Sequence, residues 1–292
     1  MHCHLFVRSV FLAASFSALG SPISWAFKLP TASYLSAQEV STQSKIALRF
    51  PISVRQGVAV DQDRFYAISN TEILVCDKKK GEMITKWQPS KSNQLHRHFT
   101  HLNSGVVLGE KLYCAHSRYP IDPNDNTIEI WNLANGKFIH EQSLGMPRKH
   151  GSLTWIDRRS DGSWWMCYAV YGENKNRQTK LVQYSLNEDS KNLEFVEQRA
   201  LSFPKQVVEQ WGTKSCSGGS WGPDDLLYTT GHDDHHTHVL EIDSQHQLRH
   251  VRTVDGMGFF GQGIAWDRTE TPSLLWGIEK RKSVSATYLK QF

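Results

Sequence analysis

Along most of the chain, short apolar runs alternate with turns of Gly, Asn, Asp and Ser. Gly57-Val-Ala-Val-Asp61, Arg64-Phe-Tyr-Ala-Ile68 and Glu72-Ile-Leu-Val-Cys76 follow one another closely. After the turn Asp77-Lys-Lys-Lys-Gly81 comes Met83-Ile-Thr-Lys-Trp87. Runs this short, rich in β-branched and aromatic residues and bounded by turn formers, predict strands joined as hairpins rather than helices. The same four-part phrase returns as Gly105–Leu108, Lys111–Ala115, Thr127–Trp131 and Lys137–His140. A third copy has strands at Ser152–Trp155, Trp164–Tyr168 and Lys180–Tyr184, followed by a longer path through 187–200. A fourth has Gly219–Trp221, Leu226–Thr230, His238–Ile242 and Leu248–Arg252.

The last copy, Gly263–Trp266, Leu274–Trp276 and Val284–Tyr288, lacks a fourth strand. The segment Ser44–Ile52, just before the first copy, is expected to supply it and so close a ring and remove a sheet edge. Aligned on Gly57, Gly105, Gly151, Gly218 and Gly263, the copies are 48, 46, 67 and 45 residues apart. A period in the forties with several strands per period predicts an all-β fold, a five-bladed β-propeller of four-stranded blades.

Gly57–Asp61 with Ile73-Leu-Val-Cys-Asp77, and Asn126-Thr-Ile-Glu-Ile-Trp131 with Asn135-Gly-Lys137, resemble YVTN propeller repeats. That superfamily includes lactonases, quinone-dependent dehydrogenases and binding scaffolds, so the resemblance implies architecture more than chemistry. Gln56-Gly57 and Gly263-Ile-Ala-Trp-Asp267 are similar to phrases of the five-bladed glutaminyl cyclotransferases. The acidic residue that those enzymes carry after the second-strand tyrosine is Ala67 here, after Tyr66. Gluconolactonase-type propellers, a further resemblance, hold a divalent metal on the axis with acidic and amide side chains, but on six blades.

Residues 1–26 read as a secretory signal: Arg8, an uncharged apolar run from Ser9 to Leu19, then Ser24-Trp25-Ala26 at the cut. Residues 27–43 read as a linker and 44–292 as one propeller domain. The expected location is therefore secreted or periplasmic, with no membrane span after cleavage. Cys76, Cys114, Cys167 and Cys216 show no CxxC or paired spacing and read as buried small residues, with one bridge left open. A formal charge of +4, with basic residues scattered, gives no stripe for nucleic acid. The run Lys78-Lys79-Lys80 reads as a solvated turn. Most of the ten tryptophans read as packing between blades, with Trp211 kept as a platform for a sugar-like ligand.

In such a ring, the loops entering each inner strand and those after each second strand converge on one face. They carry Gln56, His101, Asn103, His150, Ser217 and Gln262, and then His116, Ser117, Tyr171, His232, Asp233 and Glu279. Imidazoles and a carboxylate suit a transition metal, so His101, His116, His150, His232 and Glu279 form the candidate metal set. His150, His232 and Glu279 are the candidate catalytic groups, since imidazole titrates near neutrality. Gln56, Asn103, His116, Ser117, Tyr171, Ser217, Asp233 and Gln262 are the candidate ligand-binding groups. His235, His236 and His238 read as surface, and His96 to His98 as a solvated connection. The expected function is a hydrolase or lactonase acting on a small polar or sugar-like molecule. The alternatives are a non-catalytic scaffold for a ligand or protein partner, and glutaminyl cyclisation.

Overall fold

The structure, a computed structural model, describes residues 44–289 except Lys91, 188–192, Asp233 and Asp234. The expected signal, linker and Asp233 lie outside the described residues. Strand β1 (Ser44–Phe50) precedes the first blade, which comprises β2 (Gly57–Val60), β3 (Arg64–Ser69), β4 (Glu72–Asp77) and β5 (Met83–Trp87). The second blade is β6 (Leu102–Leu108), β7 (Lys111–Arg118), β8 (Asp122–Asn132) and β9 (Ile139–Gly145). The third is β10 (Ser152–Arg158), β11 (Trp164–Ala169), β12 (Lys180–Asn187) and β13 (Glu194–Ser202), followed by the short helix α1 (Lys205–Gln210). The fourth is β14 (Gly218–Trp221), β15 (Leu227–Thr230), β16 (Thr237–Ile242) and β17 (Leu248–Val254). The fifth holds β18 (Ala265–Trp266), β19 (Leu275–Glu279) and β20 (Ser283–Leu289).

Four of the sheets are consecutive antiparallel meanders, and the fifth has the order β1-β20-β19-β18. In it Ser44 lies opposite Leu289 and Phe50 opposite Val284. The protein is thus a five-bladed β-propeller. The extra length of the third repeat has a different cause from the one expected. The stretch 194–202 is an ordinary outer strand, and the insertion is the 203–216 segment that carries α1.

The core is divided among the seams between blades. Each of five buried clusters draws side chains from two neighbouring sheets, as when Trp155 and Trp165 of the third blade meet Trp221 and Leu240 of the fourth. Trp131, Trp155, Trp165, Trp221 and Trp276 are fully buried in these seams, each removing roughly 150–250 Å² from water. The four described cysteines are buried free thiols. Trp211 is buried against Phe203 and the Gly231 backbone, so it offers no platform to a ligand. His238 is fully buried rather than exposed. Lys78 also departs from expectation. It is 2% exposed, with Nζ 2.6 Å from Asp267 and 3.0 Å from Glu270, and it clasps the first blade to the fifth. No helix among the described residues is long and apolar enough to cross a membrane.

Five blades leave a narrow axis. A β-carbon on Gly263 would fall 2.5 Å from Ser104 Cβ, and one on Gly218 would fall 2.2 Å from the Gln262 carbonyl oxygen. Glycine is required where inner strands approach this closely. The axis is therefore pinched between two mouths. One, of about 530 Å³, is walled by Asp157, Arg268 and Trp266. The other is the face predicted from the loops.

Candidate active site in the axial funnel

Two cavities open on the loop-bearing face. The larger, about 860 Å³, is lined by Tyr119, Pro120, Pro123, His150, Tyr171 and Arg177, among others. The second, about 500 Å³, is lined by His232, His235, Gln262, Glu279 and three lysines. Tyr171 of the first meets His232 of the second edge-on, with ring centroids 5.6 Å apart. Tyr119 lies 5.1 Å from Tyr171 and 5.7 Å from His101. Three second-strand loops, after β7, β11 and β15, and the loop entering β6 thus bring these four rings around one funnel.

His232 is the best-placed reactive group. Its Nε2 lies 3.2 Å from Ser217 Oγ, and its Nδ1 lies 2.6 Å from the same oxygen and 3.4 Å from the Ser215 carbonyl, which can only accept. A proton on Nδ1 serves both contacts and makes Nε2 the basic nitrogen. The Ser217 hydroxyl also reaches Tyr171, whose own hydroxyl is pushed far above its ordinary range, chiefly by burial. Tyr171 therefore stays a neutral O–H donor. Burial, helped by Lys280 and His232, pushes His101 down to about 4, so it too is neutral at pH 7.

The other expected site residues fall around this centre in differing states. Gln56 is buried and donates to Asn70 Oδ1 at 2.6 Å. Asn103 donates to the Leu153 carbonyl at 2.7 Å, and Ser152 donates to Ser117 at 2.8 Å, which stitches the second blade to the third. Gln262, at φ 64°, lines the second cavity. His150, at φ 71°, contacts Glu197 at 3.2 Å across its own blade. Glu279 faces the second cavity with its carboxylate 2.6 Å from Lys282 Nζ. Lys282 is the first cause of its lowered pKa.

His116 belongs to a different assembly. Glu129, fully buried on β8, receives His98 Nε2 at 2.8 Å and His140 Nε2 at 2.9 Å. The Ser143 hydroxyl at 2.6 Å and the Thr127 hydroxyl at 2.5 Å also donate to it. Burial opposes its ionisation, yet bonds from His140, His98, Ser143 and Thr127 hold the carboxyl well below the usual range. His116 Nδ1 is 2.9 Å from Thr127 Oγ1, and its Nε2 accepts the Thr100 N–H at 3.2 Å. Burial pushes His116 down to about 4.

Ligand atoms of His98, His116 and Glu129 lie within 4.8 Å of one another, the compact metal-capable group found among the described residues. Of these, only His116 was in the expected metal set. A metal on its Nδ1 requires a proton on Nε2, where the Thr100 N–H already points. The axial position that a propeller metal would take fits no better. Gln56, Asn103 and Gln262 supply amides there, but Glu279 is held by Lys282, whereas calcium needs several charged oxygens.

Reading from sequence missed Tyr119 and Lys280, which stand beside the ends of second strands, and Arg177, which stands in the same loop as Tyr171 just before β12. It also missed Glu129, which sits inside an alternating strand and resembles its exposed counterparts.

No family model and no curated protein matches the chain. Among solved structures, the luciferin-regenerating enzyme aligns at 14% identity over 80% of this chain and 76% of its own, with a TM-score of 0.45. A protein described as a gluconolactonase aligns at 10% identity over 78% and 71%, with a TM-score of 0.43. A protein described as an oxidoreductase (glucose dehydrogenase) from Thermus thermophilus aligns at 10% over 85% and 100%, with a TM-score of 0.47. Similarity this low leaves the chemistry of the site to be argued from its own side chains.

Proposed function

We propose that the protein hydrolyses a small polar ester or lactone in the axial funnel, with His232 as general base. The observation that supports this is the placement of His232 between two cavities, with Nδ1 against Ser217 and its ring edge-on to Tyr171. In this reading His232 Nε2 takes a proton from water as the water oxygen attacks the substrate carbonyl carbon. The tetrahedral oxyanion accepts a hydrogen bond from the neutral Tyr171 hydroxyl. Collapse breaks the bond to the leaving oxygen, which receives the proton back from His232.

His101 contributes an uncharged polar wall, and Gln262 orients ligand hydroxyls. His150 and Glu279 are held by Glu197 and Lys282, so they shape the cavities rather than move protons. We assign the metal no step. The apolar leader over residues 1–26 supports export to the periplasm or beyond.

The test is turnover of a panel of lactones and 4-nitrophenyl esters by the mature chain, before and after chelation. The expected result is hydrolysis that survives chelation and is lost in His232→Ala. A ligand-binding protein without turnover is the second reading. It is favoured by the arginine and lysines that line the two cavities, which suit the holding of a ligand without chemistry on it. Binding without hydrolysis by the wild type would establish it.

A further inference from the structure

The lining of the two cavities is unbalanced in charge. Among the described residues, Arg177 and Lys180 face the first cavity, and Lys214, Lys280 and Lys282 face the second. Among the described residues lining the two cavities, these five cations are met by one carboxylate, Glu279, which Lys282 holds at 2.6 Å. The field is felt at the centre, since Lys280 is among the groups that disfavour a proton on His101. Three other acids on this face are paired with neighbouring cations: Asp122 with Arg148 at 2.6 Å, Asp125 with Arg118 at 3.0 Å, and Glu197 with Lys149 at 2.7 Å. A concave site lined by one sign of charge concentrates ligands of the other sign.

The first cavity adds shape to this charge. Tyr119 and Tyr171, with Pro120 and Pro123, make an apolar wall that starts beside His232, in a cavity that Arg177 also lines. A guanidinium in the same cavity as such a wall matches a carboxylate through two parallel N–H bonds.

We infer that the substrate is an organic anion: an ester or lactone that carries a carboxylate, with its apolar part on the Tyr119–Tyr171 wall and its carboxylate at Arg177. This rests on the hydrolase reading for the reaction but not for the binding, so the two are tested by separate measurements. The carbonyl lies at His232, the body of the molecule along the tyrosines, and the cations of the second cavity raise the local concentration of the anion.

Binding is measured by calorimetry with two unreactive probes of similar shape, the mono-anilide of succinic acid and neutral acetanilide. The succinyl anilide is expected to bind at least ten times more tightly than acetanilide at low salt. Arg177→Gln is expected to remove most of that preference, and raising the salt to shrink it. Equal affinity for the two probes, no binding of either, or a preference untouched by Arg177→Gln and by salt overturns the inference. Turnover is read separately with mono-4-nitrophenyl succinate and 4-nitrophenyl acetate. Cleavage of both at equal efficiency, with equal probe affinities, sinks the anion inference and leaves the hydrolase. Selective binding of the succinyl anilide with no cleavage of either ester sinks the hydrolase and leaves an anion-binding funnel. His232→Ala separates the two further, since it should abolish cleavage and keep the preference between the anilides.

Discussion

Two groups of histidines in this propeller are built from similar residues and have opposite fates. In the second blade, His98, His116 and His140 surround Glu129, and each has a nitrogen bonded within the network or to the Thr100 N–H. In the funnel, His101 and His232 stand beside tyrosines at the edge of open cavities, with Ser217 closest to Nδ1 of His232. A compact metal-like spacing marks the first group, yet the nitrogens that face Glu129 are already committed to it, and both nitrogens of His116 are bonded. The second group is more dispersed, but it faces space that a ligand can enter. The difference teaches that the density of titratable groups is a weaker guide to a site than the partners their nitrogens have.

The largest expected effect separates the groups by stability. Glu129→Ala leaves several donors in a buried space without an acceptor, and a broken buried pair costs about 3–5 kcal/mol. Urea unfolding should show a loss of that size. His232→Ala, at the edge of a cavity, should cost less than about 1 kcal/mol. Equal losses for the two variants would erase the comparison.

Activity should divide them the other way. Removing a general base costs about 10²–10⁴ in rate. His232→Ala should therefore lower kcat on a cleaved ester by at least about a hundredfold at unchanged stability. His140→Gln keeps a donor to Glu129 and should lower kcat less than about threefold, within the spread of a distant surface-to-core change. A large kcat loss in His140→Gln with a wild-type melting curve would move the chemistry to the second blade.

The pH dependence of stability sharpens the contrast next. His116 is pushed down to about 4 by burial, from an unfolded value of about 6.5. Between those values the unfolded chain binds a proton that the folded chain refuses, so stability falls as pH drops from about 6.5 to 4. For His116, 1% exposed, the loss is at most roughly 3 kcal/mol. Glu129, whose carboxyl is held low, adds a further loss only below the ordinary carboxylate range. His116→Asn should flatten the upper window, which equilibrium unfolding at pH 7, 6, 5 and 4 would read. An unchanged slope would mean that His116 is not held neutral.

What the sequence reveals follows the same division. The five-blade count was legible because a glycine recurs at or beside each inner strand, at Gly57, Gly218 and Gly263 because a neighbouring inner strand leaves little or no room for a β-carbon, and because strand patterning has a fixed period of two. The rim was legible because loop positions follow from strand order, which is how His101, Tyr171, Ser217, His232 and Gln262 came together around one funnel. Partners were not legible, since they depend on contacts between distant segments. Lys78 looks like Lys79 and Lys80 but is buried against Asp267, 189 residues away by their numbers. His98 looks like part of a polar connection but is fixed by a carboxylate in the middle of β8. The α1 insertion escaped notice because its Val207 and Val208 serve a seam already rich in apolar residues.

The smallest effect tests how the base is held. Ser217 lies 2.6 Å from His232 Nδ1, and a neutral hydrogen bond contributes about 0.5–1.5 kcal/mol, so its loss corresponds to about a tenfold change in rate. Ser217→Ala should lower kcat by about that factor and leave KM and the melting curve nearly unchanged. If Ser217 were itself the nucleophile, the same variant would lose about as much as His232→Ala, and an acyl-enzyme burst would vanish with it. Ser217→Thr keeps the hydroxyl and should recover most of the rate if the group only fixes the imidazole. A loss in Ser217→Ala confined to KM would instead assign the hydroxyl to the ligand and leave His232 oriented by its other contacts, the Ser215 carbonyl and the Tyr171 ring among them.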